Sequence, residues 1–338
     1  MPGPTAGWAC QAPFGNLFLD PLGNVYTCCV ASGEPLGNIA RQRLPEIWHG
    51  ARLAAVRDAM ARHDHSLGCQ VCERRLDVGM RSIAIHYEHL APDTLVPERP
   101  RKLELNLSNA CNLRCLMCNG DYSSAIRVHE GRAPLPKVYD EQFFEDLEDV
   151  LVHVEEVQFT GGEPFLVPEY PRIWDVLATH NPDVRCYLTT NATQWNGRVE
   201  RALGQLRFNL NVSLDGVSAA TYERVRVGAD HATVMRNLDR FVAYAREVGT
   251  RVELYHCLMP QNHEDFGELL LLGDRLDVDV HVSRVEVPDH CCIEAMDDPT
   301  PVLASFDRLA AEVLPQLARN APVFEEQHRR MQAIAAGR

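Results

Sequence analysis

From position 101 onward, short runs of alternating hydrophobic and polar residues are each followed by a stretch with helical spacing. The alternating runs predict strands at 102–108, 156–160, 184–191, 208–215, 251–259 and 278–285, and the helical stretches between them include 140–152, 170–178 and 233–248. Strand and helix in turn give an α/β domain with parallel strands, the pattern of a barrel. Side chains leave a strand on opposite faces, so each strand carries two sets. One set is aliphatic, for example Leu103, Leu105 and Leu107, then Val184, Cys186 and Leu188, then Val252, Leu254 and Leu258. The other is polar: Glu104, Asn106 and Ser108; Gln158 and Thr160; Thr189 and Asn191; Asn209, Asn211, Ser213 and Asp215; Glu253, Tyr255 and Cys257; Asp279, His281 and Ser283. A closed eight-stranded barrel fills its interior with branched apolar side chains. A polar inner face predicts a wet cavity, a polar ligand, or solvent along an incomplete barrel.

Residues 1–97 have a different character. An alternating stretch at 16–20, a turn at Pro21-Leu-Gly-Asn24 and a second run at 25–29 predict a β-hairpin. A helix start follows at Leu44-Pro-Glu-Ile-Trp48, and Cys69-Gln-Val-Cys72 closes the region. From Arg75 a further helix leads into a proline-bounded linker at 92–100, and residues 300–338 read as one or two amphipathic helices. The expected organisation is therefore a small cysteine-rich α+β module over 1–97, an α/β domain over 98–299 and a C-terminal helical cap over 300–338.

Composition narrows the partners. A net charge of −14 argues against nucleic acid, because phosphate backbones are held by clustered Lys and Arg. The sequence has no apolar run long enough for a membrane span, and Met1-Pro-Gly-Pro-Thr5 lacks the regions of a signal peptide. The expectation is a cytoplasmic protein without a membrane partner, and in that compartment twelve cysteines point to metal ligation before disulfides.

The cysteines carry the chemistry. Cys111-Asn-Leu-Arg-Cys115-Leu-Met-Cys118 places three thiols within eight residues, at the end of the first predicted strand. Four thiolates close a structural zinc site. Three on a [4Fe–4S] cube leave one iron open to a small molecule. Cys10, Cys28, Cys69 and Cys72 make a second set of four, enough to saturate one cluster or one zinc ion. Cys29 beside Cys28 is either a spare thiol or the true ligand.

On these residues the chain resembles the radical S-adenosylmethionine (SAM) superfamily, whose signature is CxxxCxxC. Met117 stands before the last cysteine, where an aromatic is commoner. The order Cys10, Gly23-x4-Cys28, Leu36-Gly-Asn38, a Trp48-containing helix and Cys69-x-x-Cys72 resembles the SPASM/twitch auxiliary-cluster module, here placed before the SAM-binding domain instead of after it. The resemblance implies a partial, TIM-like (β/α)6 barrel, two [4Fe–4S] clusters and S-adenosyl-L-methionine. It also implies an electron donor such as flavodoxin or ferredoxin. Cys111, Cys115 and Cys118 would hold the SAM-binding cluster. Gly161, Gly162 and Glu163 resemble the GGEP turn that meets the methionine part of SAM, with Glu163 pairing to its amino group. Thr189 and Asn191, Ser213 and Asp215, and Arg226 resemble strand ends that reach the ribose and carboxylate.

In that family SAM is cleaved to a 5′-deoxyadenosyl radical, which removes hydrogen from an unactivated carbon. Three outcomes are then open. Epimerisation needs a free thiol as hydrogen donor; Cys257 has the polar-face parity, with Cys291 and Cys292 as runners-up on a loop. Dehydrogenation uses the auxiliary cluster as electron acceptor. Bond formation on a sugar, nucleoside or ribosomal peptide is the third. The N-terminal region is taken up by cysteine ligands and not by a leader-binding segment, which favours a small-molecule substrate, a sugar or aminocyclitol natural product.

Overall fold

A computed structural model describes residues 10–77, 83–90 and 98–337. By contact the chain divides into two units, Met1–Asn109 with Pro134–Tyr187, and Ala110–Ala133 with Leu188–Arg338.

In the first unit the predicted hairpin forms: Asn16–Leu19 runs antiparallel to Asn24–Tyr26, with Phe18 opposite Tyr26. Its turn is held by Asp20, whose Oδ1 accepts the Leu22 and Asn24 amides at 2.8 and 2.9 Å. The hairpin is not a free-standing module. Asn16–Leu19 also pairs in parallel with Lys102–Leu105, which pairs in parallel with Glu156–Phe159. The sheet therefore runs from the hairpin into the strands that follow residue 97. The physical reason is the open edge of Lys102–Leu105: a strand with Leu17 and Leu19 fully buried covers its unpaired backbone groups and its apolar face together. Cys72 lies within a helix, Gln70–Asp77, and a 3-10 turn, Ile83–Leu90, follows; residues 78–82 of the expected helix and 92–97 of the linker lie outside the described residues. The helix Glu141–Leu151 starts where Asp140 accepts the Phe143 amide at 3.0 Å, a cap worth about 1 kcal/mol. Tyr170 and Trp174 of the helix Tyr170–His180 pack edge-on against Phe159, and Tyr170 Oη donates to the Leu105 carbonyl at 2.7 Å.

The polar set here is dry. Lys102, Glu104 and Glu156 are all buried, with Lys102 Nζ 2.7 Å from Glu156 and 3.7 Å from Glu104. Tyr87 donates to Glu104 at 2.6 Å. At this end of the strands the polar residues neutralise one another, so the expected wet cavity is absent from them.

In the second unit Phe208–Ser213, Val252–Leu258 and Asp279–Arg284 are parallel neighbours. The register sets Asn211, Glu253 and Asp279 in one row and Ser213, Tyr255 and His281 in the next, while Cys257 stands opposite Ser283. Burial alternates along Val252–Leu258, with Val252, Leu254, His256 and Leu258 inside and Glu253, Tyr255 and Cys257 partly exposed. The C-terminal helices Thr300–Glu312 and Ala321–Ala335 pack on the helix Phe266–Leu276 through Phe266, Phe306 and Phe324. Each of these fully buried rings contributes about 1.5–3 kcal/mol. Among the described residues no helix is long and apolar enough to cross a membrane.

Candidate functional site

Four thiols of the first unit surround one space. Cys10 precedes the short helix Ala12–Gly15, Cys28 ends the hairpin, and Cys69 and Cys72 flank the start of Gln70–Asp77. The hairpin tail is tied to the CxxC turn by the Ser32 amide, which donates to the Gly68 carbonyl at 3.0 Å. Only glycine fits at that contact: φ is +108°, and a Cβ would lie 2.6 Å from the Ser32 carbonyl oxygen. The four cysteines line one small pocket together with Ala12, Pro13, Val30 and Ile83. Cys29 is not part of that lining; its amide donates to Glu104 Oε2 at 3.2 Å.

Burial pushes the Cys10 thiol up to about 12 and Cys69 to about 11, and raises Cys28 as well. Left alone these groups are protonated, and a soft cation is what makes them thiolates. Among the described residues no group of three or more His, Cys, Asp or Glu is arranged to hold a metal ion as it stands. Four thiols around an apolar cavity, with no carboxylate in its wall, fit a fully ligated [4Fe–4S] cluster.

The second unit carries the other three cysteines on a loop pinned at several points. Arg114–Cys115 pairs antiparallel with Arg226–Val227, and the Leu116 amide donates to the Val225 carbonyl at 3.0 Å. Ser124 Oγ accepts the Cys111 amide and donates to its carbonyl, both at 3.1 Å. Ser123 Oγ donates to the Leu113 carbonyl at 2.6 Å and accepts the Ile126 amide, starting the helix Ser124–His129. Cys111, Cys115 and Cys118 each remain partly exposed. The Leu113 amide points at Cys111 Sγ from 3.4 Å, and Asn191 Nδ2 lies 3.9 Å from the same sulfur. Burial pushes Cys115 up to about 12 against the pull of Arg226, and raises Cys118. Three soft donors with backbone and amide N–H groups on the sulfur fit a cluster with one iron left open.

The comparisons agree. The radical SAM superfamily model matches residues 105–273, half of the 338, and the iron-sulfur cluster-binding domain model (SPASM) matches residues 10–73. The chain belongs to the radical SAM superfamily. It is 32% identical over 171 residues to the GTP 3′,8-cyclase of Streptomyces coelicolor, covering 48% of this chain and 46% of that one. To the GTP 3′,8-cyclase of Pasteurella multocida it is 30% identical over 204 residues, 56% and 55% of the two chains. The chain thus spans about half the length of the curated relatives it matches. A similar solved structure is Streptococcus suis SuiB bound to precursor peptide SuiA, at 17% identity and a TM-score of 0.45, covering 83% of this chain and 63% of that one.

Several expected SAM-binding residues in this radical SAM chain have other occupations. In the first unit Gly161 has φ of +119°, and a Cβ there would meet the Ser108 carbonyl oxygen at 2.8 Å, so the turn folds tightly onto the strand end. Gly162 donates its amide to the same carbonyl at 3.0 Å. Glu163 is fully buried, and its carboxylate accepts the Phe165 amide at 3.2 Å as the cap of the 3-10 turn Pro164–Leu166. The carboxylate thus caps the turn that the resemblance places at the methionine part of SAM.

In the second unit Asp215 is completely buried; its Oδ2 takes Arg226 Nε and Nη2 at 2.7 Å, and its Oδ1 takes the Cys257 amide at 2.6 Å. Asp215 and Arg226 are thus held by each other at the end of the strand. Thr189 Oγ1 accepts from Asn211 Nδ2 at 3.2 Å, and Ser213 remains partly exposed. Asn191 joins Asn112 and Thr193 beside Cys111. Met117 packs with Leu116 against the apolar group Val225, Met259, Val285 and Cys291.

Cys257 reaches the edge of that group and stays partly exposed. Cys186 is fully buried with Leu188. Cys291 and Cys292, the runners-up on the loop past the sixth strand, are buried too. Sequence reasoning missed Asn262, whose Nδ2 donates to the Asp215 and Cys257 carbonyls at 3.0 and 2.9 Å. An asparagine in a turn after a strand carries no signal of that role.

Proposed function

We propose that this radical SAM enzyme epimerises a carbon of a sugar or aminocyclitol natural product, with Cys257 as the hydrogen donor. When bound, the three-cysteine cluster and SAM supply a 5′-deoxyadenosyl radical that removes a hydrogen atom from the substrate carbon. The supporting observation is the place of Cys257: a partly exposed thiol on the polar face of its strand, with Tyr255 two residues before it and Ser283 opposite. Its backbone is fixed on both sides, the amide by Asp215 and the carbonyl by Asn262. Burial, with Asp215 nearby, raises its pKa, so the sulfur keeps the S–H that a hydrogen-atom donor needs. The thiol gives its hydrogen to the opposite face of the substrate radical; the thiyl left on Cys257 returns to thiol with one electron and one proton, the electron coming from a flavodoxin- or ferredoxin-type donor. The rows Asn211, Glu253, Asp279 and Ser213, Tyr255, His281 give amide, carboxylate, hydroxyl and imidazole groups suited to a polyhydroxylated ring.

The second reading is dehydrogenation or bond formation on a sugar, nucleoside or peptide, with the four-cysteine cluster as electron acceptor. The cyclase relatives and the closed four-thiol set favour it. One experiment separates the two. With SAM, reductant and candidate glycosides in deuterated water, the wild-type product should carry one solvent deuterium. Cys257→Ala should still form 5′-deoxyadenosine but release no epimer. Unchanged product from the variant eliminates Cys257, and product without deuterium moves the reaction to the second reading.

A further inference from the structure

The buried Asp215–Arg226 ion pair adjoins a cluster ligand as well as Cys257. Arg226 stands directly opposite Cys115 in the antiparallel ladder of Arg114–Cys115 with Arg226–Val227. Directly opposed residues send their side chains to the same face. The guanidinium cannot swing away: Arg226 is 8% exposed, and Asp215, at 0%, holds both Nε and Nη2. Asp215 is itself immobilised, by the Cys257 amide on its carboxylate and the Asn262 side chain on its carbonyl. The result is a fixed cation on the residue opposite Cys115 of the SAM-binding set, paired with Asp215.

We propose that the Asp215–Arg226 pair sets the reduction potential of the cluster held by Cys111, Cys115 and Cys118, Arg226 raising it and Asp215 limiting the rise. The reduced cluster carries one more negative charge than the oxidised one, so a nearby cation stabilises it preferentially. With water excluded from the pair, that Coulomb term is far larger than at a surface. Burial works against the charge on Arg226, but Asp215 keeps the guanidinium protonated. The pair acts as a positioning element, through charge and not through contact with substrate, and the inference holds whichever reaction follows hydrogen abstraction.

The test is a potentiometric titration of the anaerobically reconstituted full chain without SAM or substrate, followed by electron paramagnetic resonance. The signal to follow is the one missing from the variant in which Cys111, Cys115 and Cys118 are replaced by Ala. In Arg226→Gln the ratio of reduced to oxidised cluster at a fixed potential should fall about tenfold, a shift of about 59 mV for one electron. Arg226→Lys, which keeps the charge, should restore the wild-type ratio. Asp215→Asn should move it the other way. Iron and sulfide counts screen the variants first; if Arg226→Gln fails to hold its cluster, Asp215→Asn and Arg226→Lys decide. A wild-type potential in Arg226→Gln or in Asp215→Asn, or shifts of the same sign in both, overturns the proposal.

Discussion

Replacing Cys111, Cys115 and Cys118 together by Ala should halve the iron content and abolish SAM cleavage. Oxygen-free reconstitution of the full chain is expected to give about eight iron, the content of two [4Fe–4S] clusters, and the triple variant about four. The division follows from where the thiols lie. The three belong to a loop of the second unit, held by Ser123, Ser124 and the Val225 carbonyl, and the four that line the cavity belong to the first. No ligand is shared, so one set survives loss of the other. Cleavage is lost because SAM needs an iron without a protein ligand, and four thiols on the remaining cluster leave none. Iron and sulfide assays with chromatography of 5′-deoxyadenosine make the check. Eight iron surviving in the triple variant would remove the assignment.

Cys28→Ala should lose about four iron, the content of one cluster, while Cys29→Ala keeps them. The two neighbours differ in surroundings, not in chemistry. Cys28 lines the cavity with Cys10, Cys69 and Cys72, and Cys29 leans on Glu104 through its amide. Because cluster binding is also folding free energy, Cys28→Ala should melt at a lower temperature as well, and Cys29→Ala close to wild type. The reverse pattern would exchange the ligand. Zinc recovered in place of iron from the wild-type site would end its role as an electron acceptor.

Much of this arrangement is written in local pattern. The alternation of Leu103 with Glu104, or of Leu254 with Tyr255, is enough to draw strands, and the same parity puts Cys186 inside with Leu188 and leaves Cys257 partly exposed. The spacings 111–115–118 and 69–72 point to ligand sets because thiols so close in sequence can share one centre. What the pattern does not carry is pairing over distance. Cys29 meets Glu104 across 75 positions, and Asn16–Leu19 finds Lys102–Leu105 as a parallel neighbour; neither contact leaves a trace in the residues on either side. Asp215 and Arg226 are only 11 apart, yet resemblance to SAM-contacting strand ends hid that each is the other's partner. Cys291 and Cys292 were expected on a loop past the sixth strand, and they lie where two short 3-10 turns meet. They are buried because Cys291 packs with Val225, Met259 and Val285.

The account's central claim is that one cluster is open to SAM and the other is closed by four thiols. The measurement that tests it most directly is electron paramagnetic resonance of the reduced chain with and without SAM. The predicted result is that SAM changes one of two signals, that the change persists in Cys28→Ala, and that it is absent when Cys111, Cys115 and Cys118 are replaced. A SAM-dependent change in the signal that remains without those three cysteines would contradict it.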